Sequence, residues 1–160
     1  MGARFQLENF SEVIDEALPL LHLHWKEISA NLDIPVDVDV ERYKQVSAQG
    51  KLRLFTARSE ENKLIGYAVF FIDYNLHYKK SLQALQDVIF IHPKHRGIGG
   101  VFINWCDTQL MKENVQVSYH HVKAAHNFGP LLERMDYKLV DLIYMRRLDK
   151  PVDKQPDEVI

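Results

Sequence analysis

The chain has little of several features that would point to a special class of protein. Its 160 residues include one cysteine, Cys106, so no internal disulfide can form. No run of about 18 apolar residues is present, and this excludes a membrane-spanning helix. Neither sign of charge dominates, because the formal net charge is −2. The basic surface that is typical of nucleic-acid-binding proteins is therefore not expected, and neither nucleic acid nor a membrane is a predicted partner.

Metal-binding and export patterns are missing as well. Eight histidines are present, but His22 and His24 lie two apart on a predicted helix, where side chains do not share a face. Neither H-E-x-x-H nor a Cys–His set occurs, so we expect no metal site. The N-terminus has no signal-peptide pattern, and the single cysteine suits a reducing compartment, which together predict a cytoplasmic protein.

The composition is that of an ordinary globular domain. Hydrophobic residues make up 46% of the chain and charged residues 26%. We expect a single domain over residues 1–148. Residues 149–160 contain two prolines and many charges, so we expect them to form a flexible tail.

Apolar periodicity predicts a mixture of helices and strands. Ser11 is the expected N-cap of the first helix, Pro19 is expected to kink or split that helix, and Gly50 is expected to end the second. The predicted helices are residues 11–29, 40–49, 101–113 and 128–135, and the predicted strands are residues 4–8, 52–58, 64–74, 83–92, 115–123, 137–140 and 143–148.

The most informative stretch is residues 87–102, which read DVIFIHPKHRGIGGVF. A short apolar strand leads into a turn with glycines, and the turn opens a helix. The free N–H groups and the dipole at such a helix start attract phosphate. The stretch is not a Walker loop, since no Lys-Ser or Lys-Thr follows the glycines, and it lacks the third glycine of a dinucleotide-binding fingerprint.

The spacing V-x-P-x-x-R-G-x-G resembles the acetyl-CoA loop of the GNAT acyltransferases. Here it is filled by Ile91, Pro93, Arg96, Gly97 and Gly99. Arg96 and Gly99 match the first two fixed positions of the family's pattern. Val101 stands where the family usually has Gly or Ala, so it either narrows the room for a pyrophosphate or packs into the contact between helix and sheet.

A second stretch, residues 127–137, resembles the late helix of the same family. The matching positions are Asn127, Glu133, Arg134 and Tyr137. Asp136 replaces the usual glycine and tolerates the left-handed conformation better than most residues. Leu132 stands where many members carry a tyrosine that serves as general acid. Short stretches such as HLHW, HYKKSLQ and YHHVK are similar to small GNAT proteins of phages and prophages.

The resemblance implies a mixed α+β GNAT fold, in which helices flank a central, mostly antiparallel and splayed sheet. It also implies an N-acetyltransferase that uses acetyl-CoA, releases CoA and acetylates a primary amine on a small molecule, peptide or protein. Backbone groups would pair with the pantetheine arm, a glycine loop would hold the pyrophosphate, and a late asparagine would contact the arm. By resemblance these are Ile89, Phe90 and Ile91, then Arg96, Gly97, Ile98, Gly99, Gly100 and Val101, and finally Asn127.

Acyl transfer needs a base for the amine and a proton for the leaving thiolate. Asp87 is the best candidate base, and by alternation it is expected to share a face with Ile89 and Ile91. Its alternative role is that of a structural hydrogen-bond acceptor. With Leu132 in the acid position, the proton comes from elsewhere or from water. The candidates are His120, His121 and His126, with Tyr144 as a residue that could also reach the site.

The acceptor amine is not identified by the sequence. Residues 20–38 and 74–83 are expected to shape its site. Two other interpretations remain open: a non-catalytic protein that binds acyl-CoA or a partner on the same fold, and an unrelated α/β protein without affinity for CoA. A homodimer formed through a strand edge or the tail is possible.

Overall fold

A computed structural model describes residues 2–29 and 33–150 of the chain. Its elements alternate in the order expected for a mixed α+β protein. The strands are β1 (Arg4–Glu8), β2 (Leu52–Arg58), β3 (Leu64–Tyr74), β4 (Leu82–Ile91) and β5 (Val117–Tyr119), and the helices are α1 (Phe10–Ile28), α2 (Val40–Ala48), α3 (Gly99–Lys112) and α4 (Gly129–Arg134).

The five strands form one sheet in chain order. β1 to β4 are antiparallel neighbours, and β5 runs parallel to β4 after the crossover through α3. The predicted fold class, a mostly antiparallel sheet flanked by helices, is confirmed.

Alternating apolar residues of the central strands fill two cores, one on each face of the sheet. On one face, Leu54 and Val69 pack with Phe10 and Val13 of α1. On the other face, strand residues including Phe70 pack with Phe102 and Cys106 of α3. The sheet is thus the middle layer of three, and β4 lies between the two cores near the sheet edge.

Helix α1 differs in two details from the expectation. Its N-cap is Asn9, whose side chain accepts a hydrogen bond from the Ser11 backbone at 2.9 Å, so Ser11 is not the cap. The helix also runs unbroken through Pro19. An interior proline costs about 3 kcal/mol, and burial of the apolar stripe against the sheet offsets that cost.

The C-terminal strands are the largest error in the sequence-based prediction. Residues 137–148 form no regular secondary structure, and the strand predicted at residues 115–123 is reduced to Val117–Tyr119. A strand needs a neighbour for its backbone groups, and within residues 2–29 and 33–150 none pairs with this segment. In the predicted tail, Asp149 accepts hydrogen bonds from Arg147, while residues 151–160 lie outside the described part.

Candidate active site

A cavity of about 640 Å³ lies beside β4. Its walls come from α1, the loop at residues 34–39, α2, β3, β4, the start of α3 and residues 121–131. Most of its lining is apolar, and a few polar groups converge in it, which is the usual character of a small-molecule site.

One edge of β4 is open along this cavity. β4 pairs with β5 only at Gln83–Leu85, and in the described part of the chain no strand covers its outer edge from Gln86 to Ile91. The expected splay of the sheet is therefore present. Backbone groups of Ile89, Phe90 and Ile91 lie where an extended, amide-rich ligand can add to the sheet.

Asp87 occupies a bulge in β4. The register with β3 passes from Val69–Val88 to Phe70–Gln86, which leaves Asp87 without an opposite residue. Bulges bend strands and redirect side chains, and they are common beside active sites.

The bulge corrects the expected orientation of Asp87. Ile89 and Ile91 pack on the α3 side of the sheet, whereas Asp87 accepts a 2.5 Å hydrogen bond from the Tyr43 hydroxyl on the α1–α2 side. Alternation therefore fails between Asp87 and Ile89, because the extra residue of the bulge shifts the side-chain period by one.

Tyr43 holds the Asp87 carboxylate rigidly. Its ring stacks on Phe10 and Phe71, with ring centroids at 5.1 and 6.0 Å. Burial and the hydrogen bond to Asp87 raise the pKa of Tyr43. The phenol therefore stays protonated and acts as the hydrogen-bond donor to the carboxylate. Tyr43 is one turn after Asp39, which caps α2 and also lines the cavity.

The glycine loop opens a helix, as the sequence predicts, but with different details. Residues Pro93–Ile98 form a 3₁₀ helix, and α3 begins at Gly99 rather than at Val101. The expectation that Val101 packs between helix and sheet is wrong, because its side chain is 64% exposed. Ile98, the N-cap residue, makes no side-chain cap hydrogen bond, and the Gly99 N–H donates to the Arg96 carbonyl of the preceding 3₁₀ helix.

Two loop glycines lie against α4. A Cβ on Gly99 would contact Ile91 and Leu131 at 3.8 Å, and one on Gly100 would meet Leu131 at 3.3 Å, whereas Gly97 faces open space. The space at Gly99 would admit a Cβ, whereas at Gly100 the absence of a side chain lets α3 approach α4 closely.

Arg96 is engaged by an acid that the sequence did not indicate. Its guanidinium donates to Glu27 of α1 at 2.5 Å, and both residues line the cavity. Since the two are 69 positions apart in the sequence, only the packing of α1 against the loop could bring them together.

Buried and charged groups surround His24, which also lines the cavity. Burial lowers the pKa of His24 to about 4, and the positive charges of His126, Lys123 and Arg96 lower it further against the opposing effect of Glu27. The His24 ring stacks on Phe90 at 4.9 Å, and its Nδ1 lies 3.3 Å from the Tyr67 hydroxyl.

Apart from Glu27, which pairs with Arg96, the charges that line the cavity are segregated. Arg96, Lys123 and His126 lie around His24, near the start of α3, and we call this the cationic end. Asp87 and Asp39 lie around Tyr43, and we call this the acidic end. Along β4, Asp87 and Ile91 are about 13 Å apart at the rise of an extended strand.

Gln86, which sequence reasoning missed, lies beside Asp87. The residue is 3% exposed and contributes to the cavity lining, and its Oε1 has no hydrogen-bond partner among the described residues. A buried amide oxygen without a partner is costly. Because Gln86 pairs with Phe70, its side chain lies on the α3 side of the sheet, opposite to that of Asp87.

The structure separates His120 from the other candidate catalytic residues. It does not line the cavity but packs among Phe70, Phe128 and Tyr137. Tyr137 donates to Asp107 at 2.7 Å and lies 3.3 Å from His120 Nε2. His120 is therefore placed as a packing residue of α3 and α4, away from Asp87.

Two buried histidines, His24 and His120, should make the stability of the folded protein depend on pH. Burial lowers the pKa of His120 to about 4, as it does for His24, so both bind fewer protons folded than unfolded between pH 4 and the ordinary value of 6.5. The unfolding free energy should therefore fall as pH drops through this window, by up to about 3 kcal/mol for each histidine. Urea titrations from pH 7 to 5 measure the slope. The variant His120→Gln should reduce the slope of unfolding free energy against pH, and His22→Gln, at an exposed position, should not. Equal slopes in the two variants would contradict the assignment of the pH dependence to buried histidines.

Of the remaining predicted site residues, His126 lies at the cavity and Asn127 lies outside it. His126 is exposed at the rim of the cavity. Asn127 accepts a 2.8 Å hydrogen bond from the Gly129 backbone at the start of α4, whose N-cap is Phe128, and it lies outside the cavity lining. Asp136 has a φ of 64°, the left-handed conformation expected at this helix end.

Other expected residues are not brought to the cavity. Leu132, at the position of the family's acid, is buried at 6% exposure. Tyr144 is 89% exposed and outside the lining. Of the two expected acceptor segments, residues 20–38 contribute to the wall and residues 74–83 do not.

Within the described ranges, no three His, Cys, Asp or Glu side chains are grouped as metal ligands, and no helix is long and apolar enough to cross a membrane.

No protein-family model matches the chain, and no curated protein is significantly similar to it in sequence. Solved structures are similar in fold. A glucosamine-6-phosphate N-acetyltransferase from Arabidopsis thaliana has a TM-score of 0.69 at 10% identity, over 93% of this chain and all of that one. A ribosomal-protein-alanine N-acetyltransferase from Brucella melitensis biovar Abortus 2308 has a TM-score of 0.67 at 18% identity, over 91% and 99%.

A third similar structure contains the expected co-substrate. It is a predicted acetyltransferase from Clostridium acetobutylicum solved with acetyl-CoA, with a TM-score of 0.67 at 11% identity over 92% of this chain and 97% of that one. Together these likenesses establish that the chain has the fold of GNAT acetyltransferases.

Proposed function

We propose that this protein transfers the acetyl group of acetyl-CoA to a primary amine, directly, within a ternary complex. The observation that carries the proposal is the open edge of β4 from Gln86 to Ile91, with the Asp87 carboxylate at its bulge in the same cavity. The narrower resemblance to phage and prophage proteins stays a prediction from the sequence.

The residues around the cationic end fit a molecule of the acetyl-CoA type. The open edge of β4 offers backbone donors and acceptors to the amide groups of a pantetheine arm. The start of α3 has two glycines and no side-chain cap, and Arg96 and Lys123 offer positive charge for a pyrophosphate. Bound acetyl-CoA would supply the activated thioester, and every other step falls to residues of this chain.

The acidic end fits the amine. Asp37, Asp39 and Asp87 would attract it as an ammonium ion. The apolar wall from α1 and residues 34–38 would pack against the rest of the molecule. We therefore expect a primary amine with an apolar body rather than a multiply phosphorylated acceptor.

Asp87 serves as the base in this proposal. The ammonium ion first releases one proton to solvent and becomes the neutral amine. The amine nitrogen then bonds to the acetyl carbon as the carbon–sulfur bond breaks, and the second proton passes to the Asp87 carboxylate. Tyr43 keeps its own proton and orients that carboxylate. The departing thiolate takes a proton from water, because Leu132 cannot supply one and His126 lies at the cationic end, where the pyrophosphate is placed.

A second candidate function is binding of acyl-CoA without catalysis. Two observations favour it: the acid position holds the buried Leu132, and Glu27 already pairs with Arg96.

Calorimetric titration of the full chain with acetyl-CoA and with CoA tests the proposal first. One-to-one binding with a Kd in the micromolar range, about −8 kcal/mol, is expected for both. Release of CoA thiol is then measured with a series of primary amines that differ in apolar bulk. Thiol release with an amine supports the enzyme, saturable binding without it supports the second candidate, and no binding to either compound contradicts both.

A further inference from the structure

Three buried polar atoms without a hydrogen-bond partner in the described part of the chain gather on the α3 side of the sheet: Gln86 Oε1, Ser118 Oγ and His120 Nδ1. Gln86 pairs with Phe70, and the His120 ring lies 5.5 Å from the Phe70 ring. Ser118 pairs with Ala84, which packs in the same core two residues before Gln86. Native proteins rarely leave such atoms unpaired, and a buried water typically bridges them.

The three atoms lie where β4 and β5 separate. The pairing of the two strands ends at Leu85 and Tyr119, so Gln86 and His120 are the next residues in register, at the start of the splay. The open edge of β4, which takes the pantetheine arm in the proposed function, begins at the same point. The cluster therefore lies beside the expected position of the sulfur atom, on the face of β4 opposite to Asp87.

A chain of hydrogen bonds leads from this cluster to α3. His120 Nε2 lies 3.3 Å from the Tyr137 hydroxyl, which donates to Asp107 at 2.7 Å. Asp107 is half-buried, and it lines a second cavity of about 1470 Å³ between β5 and residues 138–143. The carboxylate at the end of the chain is thus within reach of solvent.

The protonation states suit the passage of a proton. Burial lowers the pKa of His120 to about 4, so near neutral pH its ring is uncharged and carries one proton. Such a ring has one donor and one acceptor nitrogen, and it takes a proton at Nε2 while it gives one at Nδ1. Burial also raises the pKa of the Asp107 carboxyl, against the effect of the hydrogen bond from Tyr137.

We propose that this cluster holds the water molecule that protonates the departing thiolate, and that His120, Tyr137 and Asp107 return a proton to that water. The inference rests on the proposed acetyl transfer, which releases the thiolate. Gln86 Oε1 accepts one hydrogen of the water, and the other hydrogen points to the sulfur.

The relay balances as a single proton taken from solvent. A sulfur–hydrogen bond forms as an oxygen–hydrogen bond of the water breaks, and the water regains a proton from His120 Nδ1. Nε2 then takes the proton of the Tyr137 hydroxyl, Tyr137 takes that of the Asp107 carboxyl, and solvent protonates Asp107 again. In the structure Tyr137 donates to Asp107, which is the arrangement after the proton has left.

The relay separates the two proton transfers of the reaction. Asp87 takes a proton on the α1–α2 side of β4, and the water gives one on the α3 side, because the bulge turns neighbouring side chains to opposite faces. His120 keeps its packing among aromatic rings and acts only through the water. The relay thus supplies the proton that the buried Leu132 cannot.

Two variants test the relay by thiol release. Tyr137→Phe keeps the packed ring and removes the hydroxyl, so kcat should fall by about 10²-fold, the lower range for a positioned acid, while the Kd for acetyl-CoA stays unchanged. Tyr78→Phe, at a residue that is 67% exposed, is the matched control and should leave kcat unchanged.

Gln86→Leu separates function from structure. It removes the unpartnered oxygen, so the melting temperature should stay the same or rise, yet kcat should fall because the water is no longer held. A polar group with a merely structural role gives no such combination. Wild-type kcat in both Tyr137→Phe and Gln86→Leu would overturn the relay.

Nitrogen NMR of the histidine-labelled chain reads the site without turnover. The His120 Nδ1 signal, identified by its loss in His120→Gln, should shift when CoA binds, because its water then faces the sulfur. ADP, which has a pyrophosphate but no pantetheine arm, should not shift it. An Nδ1 signal that bound CoA leaves unmoved would overturn the relay. A shift in a chain that acetylates no amine would support the water site and contradict the proposed acetyl transfer.

Discussion

Replacing Asp87 by asparagine is expected to lower the turnover number by roughly 10²- to 10⁴-fold, the usual contribution of a positioned general base. The dissociation constant for acetyl-CoA should change little, because the cationic end and the open edge of β4 are untouched. Asparagine has the same shape and can still accept the hydrogen bond from Tyr43, so the bulge and the fold should persist. The measurement is steady-state thiol release together with calorimetric binding.

Two further variants separate chemistry from structure. Tyr43→Phe removes the group that orients the carboxylate and should lower turnover less than Asp87→Asn does, with unchanged melting of the fold as the check. Asp73→Asn removes a carboxylate that pairs with Lys51 at the exposed end of β3, away from the cavity, and should leave turnover unchanged. Wild-type turnover in Asp87→Asn would remove Asp87 from the mechanism and leave it as a partner of Tyr43.

The second large effect is expected at Arg96. Arg96→Ala should weaken acetyl-CoA binding by about 1–3 kcal/mol, or roughly 5- to 150-fold, the scale of a lost charge-assisted hydrogen bond. In the structure described here Arg96 is paired with Glu27 at 2.5 Å, so a pyrophosphate has to compete with that carboxylate. Glu27→Gln should therefore tighten binding, because it frees the guanidinium and removes a negative charge from the cationic end.

The decisive result is that these two variants change the affinity for acetyl-CoA in opposite directions. If Arg96 serves only to tie α1 to the loop, both substitutions should lower stability and neither should change affinity. Calorimetric titration at two salt concentrations is the measurement, since an ionic contact to a phosphate weakens as salt rises. Equal affinity for acetyl-CoA in wild type and Arg96→Ala would contradict the assignment of the loop.

Much of the site could be predicted from local patterns. The strand–turn–helix of residues 87–102 is encoded by a short apolar run, a proline and three glycines, and each acts on its own neighbourhood. The same holds for Asp136 at the end of α4, whose left-handed backbone follows from its position after a short helix. By contrast, the orientation of Asp87 could not be predicted, because the bulge that redirects it depends on how β3 and β4 pair.

His120 shows why residue type alone misleads. A histidine next to another histidine on a predicted strand near the glycine loop suggested catalysis, yet its ring lies against Phe70 and Tyr137 and away from the cavity. Gln86 is the reverse case, an unremarkable glutamine in the sequence that becomes a buried, unpartnered group of the cavity. Its one local signal was its place beside Asp87.

By itself, the sequence determined the order of the elements through β5, the strand–turn–helix of the glycine loop and the place of Asp87 on the strand beside it. These depend on interactions between residues close together in the chain, which periodicity and turn chemistry report directly. The tertiary structure alone decided that Asp87 faces Tyr43, that Arg96 meets Glu27 and that residues 137–148 form no regular strand. Each of these depends on register or packing between elements that are distant in sequence, and no local pattern carries that information.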